Sequence, residues 1–254
     1  MTDLGAFSLE GKTVVVTGAN TGIGQGIAVA VARAGGHVIG VARSSMGETL
    51  ARVTEVHGLC TAFTADLSDN EARKSLIGTL WDAHGPLDGL VNNAGIIRRA
   101  DAVDHSETDW DDVLDVNLKS LFQLSQTFAK AAIAAQRRAK IVNIASLLSF
   151  QGGIRVAAYA ASKHGVAGLT QALSNEWAGK GLNVNAIAPG YIESNNTTAL
   201  RADPDRSAAI LNRIPAGRWG KPSDIGDAAV FLLSLASDYM HGAVVPVDGG
   251  WLAR

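Results

Sequence analysis

Short runs of β-branched and other apolar residues alternate with longer amphipathic stretches along the chain. The first run, residues 13–16, leads through a glycine-rich turn into helix-like sequence from about residue 24 to 34, and Gly35-Gly36 ends that helix before a second apolar run at 37–41. The alternation continues to the end of the chain. It predicts further strands near residues 60–64, 87–91, 141–144, 182–187 and 244–247, and further helices near residues 46–57, 69–83, 108–136 and 159–177.

Strands that alternate with helices indicate a parallel sheet, because each connection between parallel neighbours needs a helix to carry the chain back. The predicted strands are apolar on both faces, which is typical of a sheet covered on both sides. We therefore expect an α/β, single-domain Rossmann fold with a doubly wound seven-stranded parallel sheet and helices on both faces. Within this one domain, residues 1–254, the cofactor half is expected to end near residue 145, and the catalytic and substrate half to fill about 146–254.

The segment from about residue 192 to 215 departs most from the alternation. It is polar, with Asn195-Asn196-Thr197-Thr198 near its start and Asp203-Pro204-Asp205 in its middle. We interpret it as a mobile substrate lid, and an inert surface insertion is the alternative.

Composition narrows the class of protein further. Hydrophobic residues make up 47% of the 254 residues and charged residues 18%, enough for a large core. The formal net charge of −2 gives no basic excess for nucleic acid or an anionic membrane. No apolar run approaches a membrane span, and the N-terminus lacks a secretory pattern. With a single cysteine, Cys60, the fold does not rest on a disulfide, so we expect a cytoplasmic enzyme without nucleic-acid or membrane partners.

Glycines directly after the first strand point to a phosphate site. Gly18, Gly22 and Gly24 lie between that strand and the following helix. Free N–H groups and the positive dipole at a helix N-terminus attract the pyrophosphate of a dinucleotide, and glycines let the backbone approach it closely. A glycine cluster alone is weak evidence, and its position between an apolar strand and a helix is what favours a dinucleotide site. No group of His, Cys, Asp or Glu has metal-ligand spacing, so no metal is expected.

Tyr159 and Lys163 lie four residues apart on a predicted helix, so both side chains project from one face. A neighbouring ammonium lowers the pKa of a phenol from about 10, which would let Tyr159 exchange a proton with an alcohol near neutral pH. Ser146, just after the fifth strand, could hold the substrate oxygen while charge develops on it. An isolated Tyr-x-x-x-Lys is usually an ordinary helix pair, and the glycine motif together with Ser146 favours a catalytic role instead.

These motifs resemble those of the short-chain dehydrogenase/reductase family. The pattern Thr17-Gly-x-x-x-Gly-Ile-Gly24, the run Asn92-Asn93-Ala94-Gly95 and the turn Pro189-Gly190 carry the resemblance. It implies an NAD(P)-dependent oxidoreductase that moves a hydride between nicotinamide and a secondary alcohol or ketone. The residues it implies for cofactor binding are Gly18, Asn20, Thr21, Gly22, Ile23, Gly24, Arg43, Asp66, Leu67, Asn93, Ala94, Gly95, Tyr159, Lys163, Pro189, Gly190, Ile192 and Ser194.

The resemblance also implies a catalytic tetrad of Asn117, Ser146, Tyr159 and Lys163. Tyr159 is the acid or base, Ser146 orients the substrate oxygen, and Lys163 lowers the pKa of Tyr159 and binds the nicotinamide ribose. Asn117 positions a water in a proton relay to Lys163, and an ordinary buried amide is its alternative. The family further implies a homotetramer, in which the helices around Asn117 and Tyr159 form a dimer interface.

The residue that distinguishes NAD from NADP is expected at the end of the second strand. An acidic residue there would accept hydrogen bonds from the ribose 2′-hydroxyl and repel a 2′-phosphate. The chain has Arg43 instead, which could pair with a phosphate or stack on adenine. Arg43 favours NADP, whereas Asn20 in the glycine loop and the subfamily resemblance below favour NAD. We expect NAD, with NADP accepted to some extent.

The substrate pocket is expected after the fourth, fifth and sixth strands. Arginine forks suit a carboxylate and amides suit hydroxyls, which favours an anionic polyhydroxylated substrate, although solvated surface arginines are the alternative. Segments such as Ile97-Arg98-Arg99 and Leu148 to Arg155 resemble the 2-dehydro-3-deoxy-D-gluconate 5-dehydrogenases, also called 2-deoxy-D-gluconate 3-dehydrogenases, which act in the breakdown of pectin-type uronic acids. The candidate substrate residues are Arg98, Arg99, Ser146, Gln151, Arg155, Asn195 and Asn196.

Two other functions stay open on the sequence. One is a reductase of another ketone, such as a 3-oxoacyl thioester or a neutral sugar. The other is a non-catalytic, dinucleotide-binding regulator, although the presence of both Tyr159 and Lys163 speaks against it.

Overall fold

The computed structural model describes residues 5–254, and within them seven strands form one parallel sheet in the order β3-β2-β1-β4-β5-β6-β7. The order reverses between β1 and β4, which makes the sheet doubly wound and confirms the predicted Rossmann fold. All seven predicted strands are present. They are β1 (Thr13–Thr17), β2 (His37–Ala42), β3 (Leu59–Thr64), β4 (Gly89–Asn92), β5 (Ala139–Ile144), β6 (Leu182–Pro189) and β7 (Val244–Val247).

Helices cover both faces of the sheet. One core lies under α1, α2 and α9, and the other under α3, α5 and α6. The α-helices of the described residues are α1 (Gly22–Arg33), α2 (Gly47–Glu55), α3 (Asn70–His84), α4 (Glu107–Leu114), α5 (Ser120–Ala134), α6 (Ala157–Trp177), α7 (Thr198–Ala202), α8 (Pro204–Arg213) and α9 (Pro222–Leu233).

Strand β1 shows why the predicted strands have no polar face. Val14 and Val16 pack into the core under α1, α2 and α9, whereas Val15 packs into the opposite core. Successive side chains of a strand point to opposite faces, so a strand buried on both sides needs an apolar residue at every position. All three valines are buried accordingly.

Helix α9 is not among the helices predicted from the sequence. Its start has a clear local cause, since Pro222 occupies the first turn and the Asp224 carboxylate accepts a hydrogen bond from Lys221 N–H at 2.7 Å. The helix packs closely against α1, where Gly26 and Gly226 meet. A Cβ on Gly26 would lie 2.6 Å from Pro222, and a Cβ on Gly226 would lie 2.6 Å from Gly26 O. This contact holds α1 firmly against the rest of the chain.

The prediction of one continuous helix over residues 108–136 is wrong in one detail. Helix α4 passes into a π-helical turn, Asp115–Lys119, before the chain resumes as α5. A π turn inserts one extra residue into a helix and occurs often at functional sites. The hydrophobic period of a sequence is too coarse to reveal a single inserted residue.

The polar segment at 192–215 is largely helical in the structure. It contains a 3₁₀ turn, Asn195–Thr197, followed by α7 and α8. Ile210 and Ile214 anchor it in a small core with Leu147 and Trp251. Its role as a lid stays a prediction.

Among residues 5–254, no helix combines the length and apolarity that crossing a membrane requires. The same residues contain no group of three His, Cys, Asp or Glu side chains placed to hold a metal ion.

His37, at the start of β2, makes the stability of the fold depend on pH. Its Nε2 atom lies 2.9 Å from Thr61 Oγ1, and its ring centroid lies 5.9 Å from that of His84. Burial, followed by the charge of His84, lowers the pKa of His37 below its usual value of 6.5. Below pH 6.5 the unfolded chain therefore binds more protons at this position than the folded chain. The stability that His37 supports is present above that pH and is lost as the pH falls through the lower, folded pKa.

We expect the His37→Gln variant to lose less thermal stability than the parent protein between about pH 7 and pH 5, because it has no imidazole to protonate. Thermal unfolding followed by circular dichroism across this range measures the effect. His57→Gln, at an exposed histidine, is the matched control and should follow the parent. Parallel curves for His37→Gln and the parent would contradict this assignment.

Candidate active site

A cleft of about 670 Å³ opens at the carboxyl ends of the parallel strands. Ligands of open α/β sheets bind at this edge, next to the point where the strand order reverses. Every residue that the sequence assigned to the cofactor lines this cleft, from Gly18 in the first loop to Ser194 after β6. The cleft is large enough for a dinucleotide and a small substrate together.

The glycine loop and the start of α1 fit a pyrophosphate. The Thr21 side chain makes no capping hydrogen bond to α1, so the first N–H groups of that helix stay available along the wall of the cleft. The loop has no room for side chains, since a Cβ on Gly24 would lie 2.1 Å from Gly18 O. A Cβ on Gly22 would lie 3.2 Å from Ser194 Cβ across the cleft. An anion with close backbone contacts suits this arrangement.

Hydrogen bonds fix the glycine loop to the loop after β4. Asn93 Nδ2 donates to Thr17 O at 2.8 Å and to Gly18 O at 3.2 Å. In return, Thr17 Oγ1 accepts from the backbone N–H groups of Asn93 and Ala94, each at 3.0 Å. Thr17 stands in the sequence motif, but only the structure shows this bracing role.

The adenosine end of the cleft is lined by Arg43, Ser44 and Asp66. Hydrogen bonds from Ser68 hold the pKa of Asp66 below its usual range, with a smaller contribution from the charge of Arg43. Asn20 Nδ2 donates to Ser44 Oγ at 2.9 Å, which joins the glycine loop to the end of β2. Ser44 was not assigned from the sequence, although its place directly after Arg43 is a signal for it.

Ser146, Tyr159 and Lys163 come together in the cleft as predicted. Ser146 follows β5, and Tyr159 and Lys163 lie on α6. Lys163 Nζ lies 5.6 Å from the centroid of the Tyr159 ring and donates to Ile144 O at 2.6 Å. Burial lowers the pKa of Lys163 to about 8.

Tyr159 has a pKa above its usual value, because burial disfavours the phenolate. A hydrogen bond from Ser146 and the positive charge of Arg99 act in the opposite direction. Lys163 was expected from the sequence to lower the pKa of Tyr159. In the structure the groups that oppose burial are Ser146 and Arg99, while the Lys163 ammonium is directed to Ile144 O.

Asn117 lies behind the cleft wall and is only 1% exposed. Its Oδ1 accepts from Ile96 N–H at 2.8 Å, and its Nδ2 donates to Ile96 O at 2.9 Å and to Ser162 Oγ at 3.3 Å. Ser162 Oγ in turn donates to Tyr159 O at 2.7 Å. Asn117 therefore connects the loop after β4 to α6, and Ser162 is a link that the sequence reasoning missed.

The predicted substrate residues divide into two groups. Arg98 and Asn195 line the cleft, although Arg98 already contacts Asp109 at 3.2 Å and Asp112 at 3.6 Å. Arg99, Gln151 and Arg155 are not among the residues that line the cleft, so their roles in substrate binding stay predictions.

Arg155 is exposed and pairs with Asp101 at 3.2 Å. The acidic partners of Arg98 and Arg155 lie in other segments of the chain, so the sequence carries no sign of these pairings. Arg99 acts on Tyr159 through its charge, and the side chain of Asn196 lies outside the described part of the structure.

Comparisons with known proteins agree with this geometry. A protein-family model described as enoyl-(acyl carrier protein) reductase matches residues 18–252. The curated 2-dehydro-3-deoxy-D-gluconate 5-dehydrogenase of Escherichia coli (strain K12) is 55% identical over 251 residues, 99% of each chain. Its namesake from Bacillus subtilis (strain 168) is 55% identical over 250 residues, 98% of each chain. A crystal structure from Agrobacterium tumefaciens with bound NADP, described as a 2-deoxy-D-gluconate 3-dehydrogenase, has a TM-score of 0.94 at 61% identity and covers 98% of this chain and 99% of that chain.

The chain belongs to the short-chain dehydrogenase/reductase family. It is an NAD(P)-dependent oxidoreductase, an enzyme rather than a non-catalytic dinucleotide-binding protein. The family, the class of enzyme and the cofactor type expected from the sequence are thereby confirmed.

We expect Tyr159→Phe to lower kcat by about 10²- to 10⁴-fold, because the variant keeps the ring but loses the hydroxyl that is expected to transfer the proton. The Kd for NADPH, measured by fluorescence titration, should stay close to the parent value. Tyr239→Phe is the matched control, since Tyr239 is fully exposed. If Tyr159→Phe keeps most of its activity, Tyr159 is not the proton donor.

Proposed function

We propose that this enzyme interconverts a secondary alcohol and a ketone on a deoxy sugar acid. The substrate pair is 2-dehydro-3-deoxy-D-gluconate and the corresponding 3-deoxy-2,5-diketo acid, with 2-deoxy-D-gluconate as a related substrate. The observation that carries the proposal is the pairing of Ser146 with Tyr159 in a nucleotide-sized cleft, where the positive charge of Arg99 acts on Tyr159 although Arg99 does not itself line the cleft. The 55% identity to curated 2-dehydro-3-deoxy-D-gluconate 5-dehydrogenases over nearly the whole chain supports this substrate class.

NAD(P) supplies or accepts the hydride when bound. Tyr159 exchanges the proton of the substrate oxygen, and Ser146 orients that oxygen by a hydrogen bond. Because burial raises its pKa, Tyr159 keeps its proton at neutral pH, which suits donation to the developing alkoxide during ketone reduction. Alcohol oxidation requires the deprotonated phenol, so its rate should rise toward alkaline pH. Asn117 holds the neighbouring backbone and, in this proposal, positions the water that relays protons to Lys163.

We further propose the wider setting implied by these relatives. The enzyme would work in the cytoplasm, in the breakdown of pectin-type uronic acids, with residues 192–215 as a lid over the substrate. A homotetramer is supported by an open groove of about 700 Å³ beside α4 and α5, lined in part by Leu118, Phe122 and Leu169. These side chains would be covered by a second copy of the chain.

Initial rates test the substrate class. Oxidation of 2-keto-3-deoxygluconate and 2-deoxygluconate should be fast, and oxidation of gluconate and glucose slow, with NAD and NADP run in parallel. The rate of reduction of a 3-oxoacyl thioester is measured in parallel, because this thioester is the competing ketone substrate. Fast turnover of that thioester without turnover of any sugar acid would replace the proposed substrate and leave the hydride chemistry intact.

Arg99→Ala should lower kcat/KM for the acidic substrate by about 30-fold, the equivalent of about 2 kcal/mol for a lost charge-assisted hydrogen bond. Turnover of a neutral analogue of the same sugar should fall much less. Arg155→Asn is the control, because Arg155 is exposed and pairs with Asp101 away from the cleft. Equal losses on the acidic and neutral substrates would show that Arg99 does not bind the carboxylate.

Arg43→Ala should weaken NADPH binding by about tenfold and leave NADH binding nearly unchanged, because only NADPH carries a 2′-phosphate for the guanidinium. Fluorescence titration of both reduced cofactors measures this directly. Arg52→Ala, an exposed arginine paired with Glu48 on α2, is the matched control. If both cofactors weaken equally, Arg43 serves adenine stacking rather than phosphate recognition.

A further inference from the structure

Arg73, on α3, is a buried cation that the chemistry described so far does not use. It is 1% exposed and has the largest side chain among the fully buried residues described. Arginine is almost never buried to this extent unless it is paired. It does not line the cleft, and it belongs to none of the sequence motifs.

The Arg73 guanidinium joins two segments of the site. Its Nη1 donates to Leu67 O at 2.9 Å, in the cofactor-lining loop after β3. Nη1 also forms a short hydrogen bond to the Asp115 carboxylate, and Nη2 donates to the other carboxylate oxygen at 3.3 Å. A two-pronged contact of this kind fixes the orientation of both groups. It therefore holds Asp115 at a defined position against the loop after β3.

Asp115 is the first residue of the π turn that carries Asn117. The backbone N–H of Ser120 closes this turn on Asp115 O, and Arg73 Nη1 lies 3.5 Å from the same oxygen. Loss of the extra residue from the turn would rotate Asn117 relative to α5 by about 100°, the angle of one residue in an α-helix. That rotation would break the contacts of Asn117 with Ile96 and Ser162.

We propose that Arg73 is a positioning residue for the reaction, which fixes the π turn through Asp115 and thereby holds Asn117 in place. The inference rests on the proposed function of Asn117 in the proton relay. Arg73 acts through Asp115 and touches neither substrate nor cofactor.

Stability alone does not account for this pair. Replacing a buried ion pair by apolar groups of similar volume is often neutral or stabilising, whereas removing one partner is costly. Burial raises the pKa of Asp115, whereas Arg73 and Lys119 lower it. The net effect is a pKa below the usual range, so the Asp115 carboxylate stays ionised at neutral pH. The pair is thus suited to holding a geometry across the working pH range.

The test uses two variants that separate positioning from stability. Asp115→Asn keeps the shape of a side chain that is 28% exposed, and it removes the charge that holds Arg73. The double variant Arg73→Met with Asp115→Asn removes both charges and should recover the Tm of the parent. Lys74→Met, an exposed cation on the same helix that pairs with Glu71, is the matched control.

We expect both variants to lower kcat by about 10- to 100-fold, the scale of a misplaced catalytic geometry. KM and the Kd for NADPH should stay close to the parent values. A double variant that regains both Tm and kcat would show that the role is purely structural. A rise in the Kd for NADPH with unchanged kcat would place the effect on the Leu67 loop and overturn the proposal.

A double-mutant cycle identifies the residue through which Arg73 acts. In an Asn117→Ala background, Asp115→Asn should lower kcat no further, whereas additive losses would overturn the proposal. Any secondary alcohol that the parent oxidises serves for these rates. If the sugar-acid substrate is wrong but the cycle shows this coupling, the proposed substrate fails and the positioning role stands.

Discussion

The contact between the loop after β1 and the loop after β4 is the constraint on which the site depends. Their loops leave neighbouring parallel strands at the same edge, and Asn93 and Thr17 hold the two loops together by reciprocal hydrogen bonds. This brings backbone so close that Gly24 has no room for a side chain beside Gly18 O. The start of α1 is thereby aimed into the cleft, and the residues predicted to bind the cofactor and to act in catalysis are arranged around that point.

Buried polar contacts extend this control to α6, which carries Tyr159 and Lys163. Asn92 Nδ2 donates to Ser125 Oγ on α5 and to Asn143 Oδ1 on β5, both at 2.9 Å. Asn143 Nδ2 then donates to Thr170 Oγ1 on α6 at 3.0 Å. In a low-dielectric interior, directional hydrogen bonds of this kind favour one arrangement of the elements that they join. Helix α6 is therefore held by directional bonds beneath Tyr159 and Lys163, as well as by apolar packing.

The features that follow local rules were predictable from the sequence. The strands, the glycine loop and the pairing of Tyr159 with Lys163 depend on periodicity and on short spacings. The π turn at Asp115–Lys119 was not predictable in this way, because it depends on one inserted residue and on its tertiary contact with Arg73. Helix α9 was missed for another reason: its buried residues Ile225, Ala229 and Leu232 do recur at helical spacing, but the polar segment before it drew the assignment of this region to a lid.

The sequence also could not show which acidic side chain pairs with each arginine. Arg98, Arg99 and Arg155 look equivalent in the chain, yet acidic residues brought in by folding distinguish them. Asp101 holds Arg155 away from the cleft, and Asp109 and Asp112 share Arg98 at its rim. Only three-dimensional pairing determines which arginine charge acts on Tyr159.

Burying the charged Lys163 side chain costs free energy that the rest of the fold has to offset. Burial lowers its pKa from 10.5 to about 8, a shift that corresponds to about 3 kcal/mol against the charged form. The folded chain nevertheless holds this ammonium charged at neutral pH, and the hydrogen bond to Ile144 O offsets part of the cost. The remainder must be balanced elsewhere, by the two apolar cores on either side of the sheet. The broad apolar burial that makes the fold recognisable in the sequence is therefore also what allows a buried cation beside Tyr159.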